Sequence, residues 1–95
     1  MKYEDLVLIS DPYKVYSKFE KIYPRDSDTK INTWKNKKYM IYDPNIKKWL
    51  HFGSTMEDYT FHKDLQRRLK FKTRNRRWSD ANIYTAAYAS YYLLW

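Results

Sequence analysis

Two histidines and three carboxylates, His51, His62, Glu57, Asp58 and Asp64, lie within the stretch "HFGSTMEDYTFHKD" that leads into the most basic part of the chain. One imidazole acting as base and the other as acid, with Lys63 or an arginine stabilising a pentavalent phosphorus, would serve a small metal-independent nuclease. The spacing fixes neither a base nor a residue to orient it, so two histidines alone do not define a site. A histidine on a strand and another at a helix start more often make structural hydrogen bonds. The same five residues match no zinc signature, and acids beside a helix start are explained by the positive end of that helix. The single glycine can form neither a phosphate-binding loop nor a dinucleotide fingerprint. The expectation is a non-enzymatic protein with no catalytic residues, metal or cofactor. In this reading the stretch is the end of a strand, a glycine-permitted turn and the cap of a basic helix, with the histidines structural or touching phosphate.

The basic run itself carries the clearer chemistry. Lys63, Arg67, Arg68, Lys70, Lys72, Arg74, Arg76 and Arg77 face one acid, Asp64. Guanidinium groups match phosphate oxygens in plane and number, and Phe71, Trp78 and Tyr59 interleave as stacking surfaces. A solvated, solubilising face is the plainer alternative, but such a bias points to an anionic partner. Residues 1 to 30 hold six acids and six bases, and residues 81 to 95 hold no charged side chain, so the formal net charge of +8 belongs to the middle of the chain. No zinc finger, RNA-recognition motif or basic zipper is spelled out, which leaves sequence-specific base reading without support. The candidate nucleic-acid-binding set is therefore those eight cations with Trp78 and Phe71.

These residues need elements to hold them. "DPYKVYSKFEKIYP" predicts a helix with Asp11 as N-cap and Pro12 at its first position, Val15, Phe19 and Ile22 on one face, and Pro24 as the stop. "PRDSDTK" reads as a polar, flexible connection. "KKYMIYDPNIKKWLHFG" predicts a β-hairpin, Lys38 to Tyr42 and Ile46 to Phe52, turning at Asp43, Pro44 and Asn45. Along the first strand Tyr39 and Ile41 alternate with Met40 and Tyr42, and along the second Leu50 and Phe52 alternate with Trp49 and His51, so elements are expected on both faces. Leu65 and Leu69, one turn apart, give a short helix an apolar edge with cations around the remainder. Either Thr60 with Asp64, or Ser54 and Thr55 with Glu57 and Asp58, could start a turn. "SDANIYTAAYASYYLLW" favours a C-terminal helix capped by Ser79 or Asp80, packed as core, although "SYYLLW" alone would also suit a strand.

Ninety-five residues suffice for one small domain, and without cysteine neither disulfides nor a thiolate zinc site can reinforce its core. Eleven Tyr, four Trp and four Phe must supply the packing. The longest uncharged run, Ala81 to Trp95, is short for a bilayer and rich in hydroxyls, and "LVLI" behind Glu4 and Asp5 lacks the flank of a secretory signal. No membrane association is expected.

Three segments together, "KKYMIYDPNIKKWLHFG", "DYTFHKDLQRR" and "SYYLLW", resemble a family of small basic proteins of large double-stranded DNA viruses. The resemblance rests on His51, Phe52 and Gly53; Asp58, Tyr59 and Thr60; His62 and Asp64; Arg67 and Arg68; and Leu93, Leu94 and Trp95. It covers residues 37 to 95; members of that family run on past the tryptophan, and the first 33 residues have no counterpart. It implies a viral setting, the virion or the cytoplasm or nucleus of an infected cell, and no assigned activity.

The combined expectation is a single α+β domain: an N-terminal helix, a β-hairpin or small antiparallel sheet, a short basic helix and a C-terminal helix. Residues 1–33 form a neutral helical segment and 34–95 the basic core. Its function would be sequence-independent binding of nucleic acid, DNA ahead of RNA, in genome packaging. The rival is a minor structural virion protein that sets its basic face against an acidic protein surface.

Overall fold

Asp11 and Pro12 start the first long helix as their chemistry dictates. In the computed structural model, which describes residues 1–32 and 36–95, a short helix α1 (Tyr3–Leu6) precedes α2 (Pro12–Ile22). The Asp11 carboxylate accepts from the backbone N–H groups of Tyr13 and Lys14, and Pro12 fills the first turn, where a missing donor costs nothing. Val15 and Phe19 form the buried stripe of α2. The helix ends at Tyr23, which turns extended before Pro24.

Three strands follow, β1 (Asp28–Ile31), β2 (Tyr39–Asp43) and β3 (Lys48–Phe52), in an antiparallel sheet of order β1-β2-β3. The hairpin register sets Tyr39 opposite Phe52 and Ile41 opposite Leu50, so these four residues share one face. Tyr39, Ile41 and Phe52 are fully buried, and Tyr16 of α2 meets Tyr39 edge-on at 6.4 Å. Met40, Tyr42, Trp49 and His51, on the other face, are half-buried. The turn lies later than expected: Asp43 still pairs with Lys48, its carboxylate accepts from the Asn45 N–H at 2.9 Å, and Lys47 takes the left-handed conformation at φ 54°.

The reading of "PRDSDTK" as a flexible link is corrected by β1. Asp28 and Lys30 point outward while Thr29 and Ile31 lie opposite Ile41 and Tyr39. A four-residue edge strand with charged outer positions is how a sheet blocks further pairing, and its polarity disguises it as a loop. Residues 28–31 thus belong to the sheet and not to a helical N-terminal segment; the boundary drawn between residues 33 and 34 lies outside the described residues.

After Gly53 come α3 (Tyr59–His62), α4 (Leu65–Arg74), a 3-10 helix (Arg76–Asp80), α5 (Ala86–Ala89) and a π-helical turn (Ser90–Leu94). The C-terminal helix exists but starts later than Ser79 or Asp80: Thr85 is its N-cap, accepting from the Tyr88 N–H, and Ser79 and Asp80 end the 3-10 helix instead. "SYYLL" is helical rather than extended, and Leu93 and Leu94 complete a core with Leu6, Val15, Phe19 and Phe52.

Beside that core runs a buried polar chain. The Tyr39 hydroxyl bonds Ser10 Oγ at 2.7 Å, and Ser10 Oγ lies 3.3 Å from Thr60 Oγ1. Thr60 donates from its hydroxyl and backbone N–H to Asp58, and Lys38 Nζ meets the second Asp58 oxygen at 3.0 Å with both side chains almost completely buried. Burial pushes the Lys38 ammonium below its ordinary pKa, with the Asp58 carboxylate opposing that shift. Tyr39 and Asp58 thereby tie the sheet to the segment that carries the basic helix.

Candidate nucleic-acid interface

The site is positioned by two aspartate caps in series. Gly53 leaves β3 at φ +88°, and a Cβ there would lie 3.1 Å from Leu94 Cδ1 and 3.2 Å from Lys38 Cβ, so the turn requires the glycine. Asp58 caps α3, Lys63 breaks it at φ 55°, and Asp64 caps α4 by accepting from the N–H groups of Gln66 and Arg67 at 3.0 and 3.2 Å. The stretch from His51 to Asp64 is thus strand end, glycine turn and caps.

Helix α4 has three distinct sides, because residues three, four and seven apart share a face. Arg67, Lys70, Phe71 and Arg74 line a groove of about 580 Å³. Arg68 and Lys72 turn toward the C-terminal segment. Leu65 and Leu69 are 67% and 69% exposed, so the leucine edge expected to be the apolar side of the helix is its solvent side. The inward side is made of Phe71 with Arg68 and Lys72, whose cationic groups meet aromatic rings and a carbonyl, a use of Arg and Lys that hydropathy does not register.

The groove combines charge with aromatic surface. Besides the α4 cations, Lys37 borders it, and Phe71, Trp78 and Trp95 supply its rings. Phe71 stacks on Trp95 with centroids 4.4 Å apart and planes 7° from parallel, and Trp78 meets Phe71 edge-on at 5.8 Å. Glu57 reaches Arg67 at 3.7 Å, both side chains being 45% exposed. Apart from this and the Lys38–Asp58 pair, no ion pair occurs among the described residues.

Arg68 and Lys72 are occupied elsewhere. Arg68 Nε donates to the Trp95 carbonyl at 2.7 Å and its guanidinium lies 5.0 Å from the Tyr59 ring centre. The Lys72 ammonium sits 4.4 Å from the centre of Tyr91. Burial, then Arg68 and Lys18, lower the Lys72 pKa to about 8. Lys63 is exposed at the start of α4, and Arg76 and Arg77 are exposed on the 3-10 helix. Five of the ten expected contact residues therefore converge on one groove: Arg67, Lys70, Phe71, Arg74 and Trp78. Three more remain on the surface and two serve the fold. Lys37, Glu57 and Trp95 were missed as site residues; the sequence signal for Trp95 pointed to packing, which is part of its role.

The histidines hold structure together. His51 Nδ1 lies 2.6 Å from Asn32 Oδ1, and His62 Nδ1 accepts from the Asp64 N–H at 2.9 Å. That bond places the proton of the neutral His62 ring on Nε2, which is buried between Tyr59 and Trp95 without a hydrogen-bond partner among the described residues. Burial lowers the pKa of both rings, with Lys37 adding to the effect at His51 and Arg67 at His62. Among the described residues, no group of three or more His, Cys, Asp or Glu side chains could hold a metal ion, and no helix is long and apolar enough to cross a membrane.

A family model described as "Family of unknown function (DUF5754)" matches residues 21–75, more than half of the chain. The chain belongs to that family. The DUF5754 region begins within α2 and takes in the whole sheet, both aspartate caps and α4. Trp78 and Trp95, which complete the groove, follow it. No curated protein and no solved structure matches the chain.

Proposed function

We propose that the protein binds nucleic acid without reading its sequence, DNA ahead of RNA. The observation that carries this reading is the row Arg67, Lys70 and Arg74 along one side of α4, opposed by a single exposed carboxylate, Glu57. Elsewhere on the same helix, cations are drawn into contacts with Tyr59, Tyr91 and a carbonyl. Phosphate oxygens are the ligand that such a row serves, and a backbone row without converging donors for base edges supports sequence independence. The exposed Lys63, Arg76 and Arg77 extend the field at either end of the helix. The resemblance to small basic proteins of large DNA viruses supports genome packaging as the setting.

Affinity for short DNA and RNA measured across a salt series tests the reading. Neutralising about three to five phosphates should give a log-log slope of roughly −2 to −4, with little difference between base sequences. Absence of binding at low salt would defeat it.

One observation favours a protein partner as the second reading. Leu65 and Leu69 form an exposed apolar pair on the same basic helix, with Phe61 also 40% exposed. An acidic protein surface with an apolar centre would meet both features, as in a minor structural component of a particle.

A further inference from the structure

Resting on the nucleic-acid reading above, we infer that the groove receives an unpaired base of single-stranded nucleic acid, with Trp78 as the ring on which that base stacks. Three observations converge. The first is the character of the groove: it is concave, about 580 Å³, and combines a cationic row with Phe71, Trp78 and Trp95. A duplex hides the faces of its bases and offers phosphates and groove edges, so these rings would have nothing to meet. An unpaired strand presents both features, charge along its backbone and a π-face on each base.

The second is the geometry of α4. A helix lying in the major groove of a duplex has phosphates on either flank. Here one flank is the cationic row, another is the pair Leu65 and Leu69, and the third is packed through Phe71, Arg68 and Lys72. Only one side can follow phosphates. From Arg67 to Arg74 that row runs roughly 10 Å along the helix, enough to guide a short length of a single backbone past the aromatic surface.

The third is the occupancy of the rings. Trp95 lies between Phe71, stacked at 4.4 Å, and His62, tilted at 5.2 Å. Phe71 has two ring neighbours, Trp95 stacked on it and Trp78 at a steep angle to it. Both central rings are flanked by other rings. Trp78 is half-buried, and Phe71 is its one aromatic neighbour among the described residues. Its ring borders the groove with fewer ring neighbours than Phe71 or Trp95, which narrows the two stacking candidates, Trp78 and Phe71, to the first.

The test compares a short oligothymidylate strand with a duplex of the same length at equal salt, for the wild-type protein, Trp78→Ala and Trp78→Phe. The single strand is expected to bind the wild type at least about tenfold more tightly than the duplex. Trp78→Ala should lower single-strand affinity by roughly tenfold, the scale of losing one stacked base, while Trp78→Phe retains most of it and duplex affinity changes less than about twofold. Equal affinity of the wild type for strand and duplex, with the usual salt dependence, would overturn the base-binding inference and leave electrostatic binding intact. Absence of binding to either probe would remove both. The wild-type ratio decides the matter even if Trp78→Ala folds poorly.

Discussion

Lys38 and Lys70 both border the groove, yet one belongs to the fold and the other faces outward. Lys38 is buried against Asp58 at 3.0 Å, inside a polar chain that runs through Thr60 and Ser10 to Tyr39. Lys70 is exposed and makes no ion pair among the described residues, like Arg74 beside it. The difference separates two uses of the same charge. A buried ammonium must have its counter-ion built in, because removing one partner strands the other in a medium that solvates it poorly. An exposed cation needs no internal partner and stays available to an external anion. High net charge is thus informative about function only after the internally satisfied cations, Lys38, Arg68 and Lys72, have been set aside.

Breaking the buried side should have the largest effect. Asp58→Ala strands Lys38 and removes the cap of α3, with an expected loss of about 3–5 kcal/mol, read as a fall in the urea midpoint; a loss below about 1 kcal/mol would show that the pair is not closed to water. Breaking the exposed side should do the reverse. Arg67→Ala, Lys70→Ala and Arg74→Ala combined should move stability by no more than roughly 1.5 kcal/mol and weaken nucleic-acid binding about tenfold or more, with the salt slope reduced by roughly 2 to 3.

Three smaller tests sharpen the boundary between these classes. Glu57 competes with any anion for Arg67, so Glu57→Gln should raise nucleic-acid affinity about two- to threefold, in keeping with an exposed ion pair; unchanged affinity would place Arg67 outside the contact. His62 tests the fold side by pH. Its folded pKa lies below the ordinary 6.5, so between those values the unfolded chain binds more protons and stability falls as pH falls through that window. Urea midpoints at several pH values should show this slope in the wild type and a shallower one in His62→Gln. Least of all should happen with Leu65→Lys and Leu69→Lys: each is expected within about 0.5 kcal/mol of the wild type, whereas buried leucines would cost several times more.

The last contrast shows where the sequence was legible. Helix α2 and the hairpin declare themselves through local chemistry: Asp11, Pro12 and Pro24 are punctuation, and Tyr39, Ile41, Leu50 and Phe52 alternate in register. The carboxylates before α4 were visible as helix-start residues, but Thr60, Ser54 and Thr55 were the expected turn starters and the caps are Asp58 and Asp64. Strand β1 was not, since Asp28 and Lys30 make it look like a loop and only pairing with β2 gives Thr29 and Ile31 an inner face. Nor was the orientation of α4. Leu65 and Leu69 looked inward because they are apolar, but the side that packs is chosen by what lies against it, Trp95, Tyr91 and Tyr59 from distant positions. The groove was half legible for the same reason. Its α4 cations and two of its rings sit in one run, while Lys37, Glu57 and Trp95 join them only through the tertiary fold.

The setting of Lys72 has a consequence for reactivity. An amine with a pKa of about 8 is roughly half uncharged at pH 8, when an ordinary lysine is almost entirely protonated. The neutral form is a nucleophile, so mild acylation near that pH should favour Lys72 over the exposed Lys70 of the α4 row. A label placed there would ride on the side of α4 that turns away from the groove, reporting on the helix while leaving Arg67, Lys70 and Arg74 their charge.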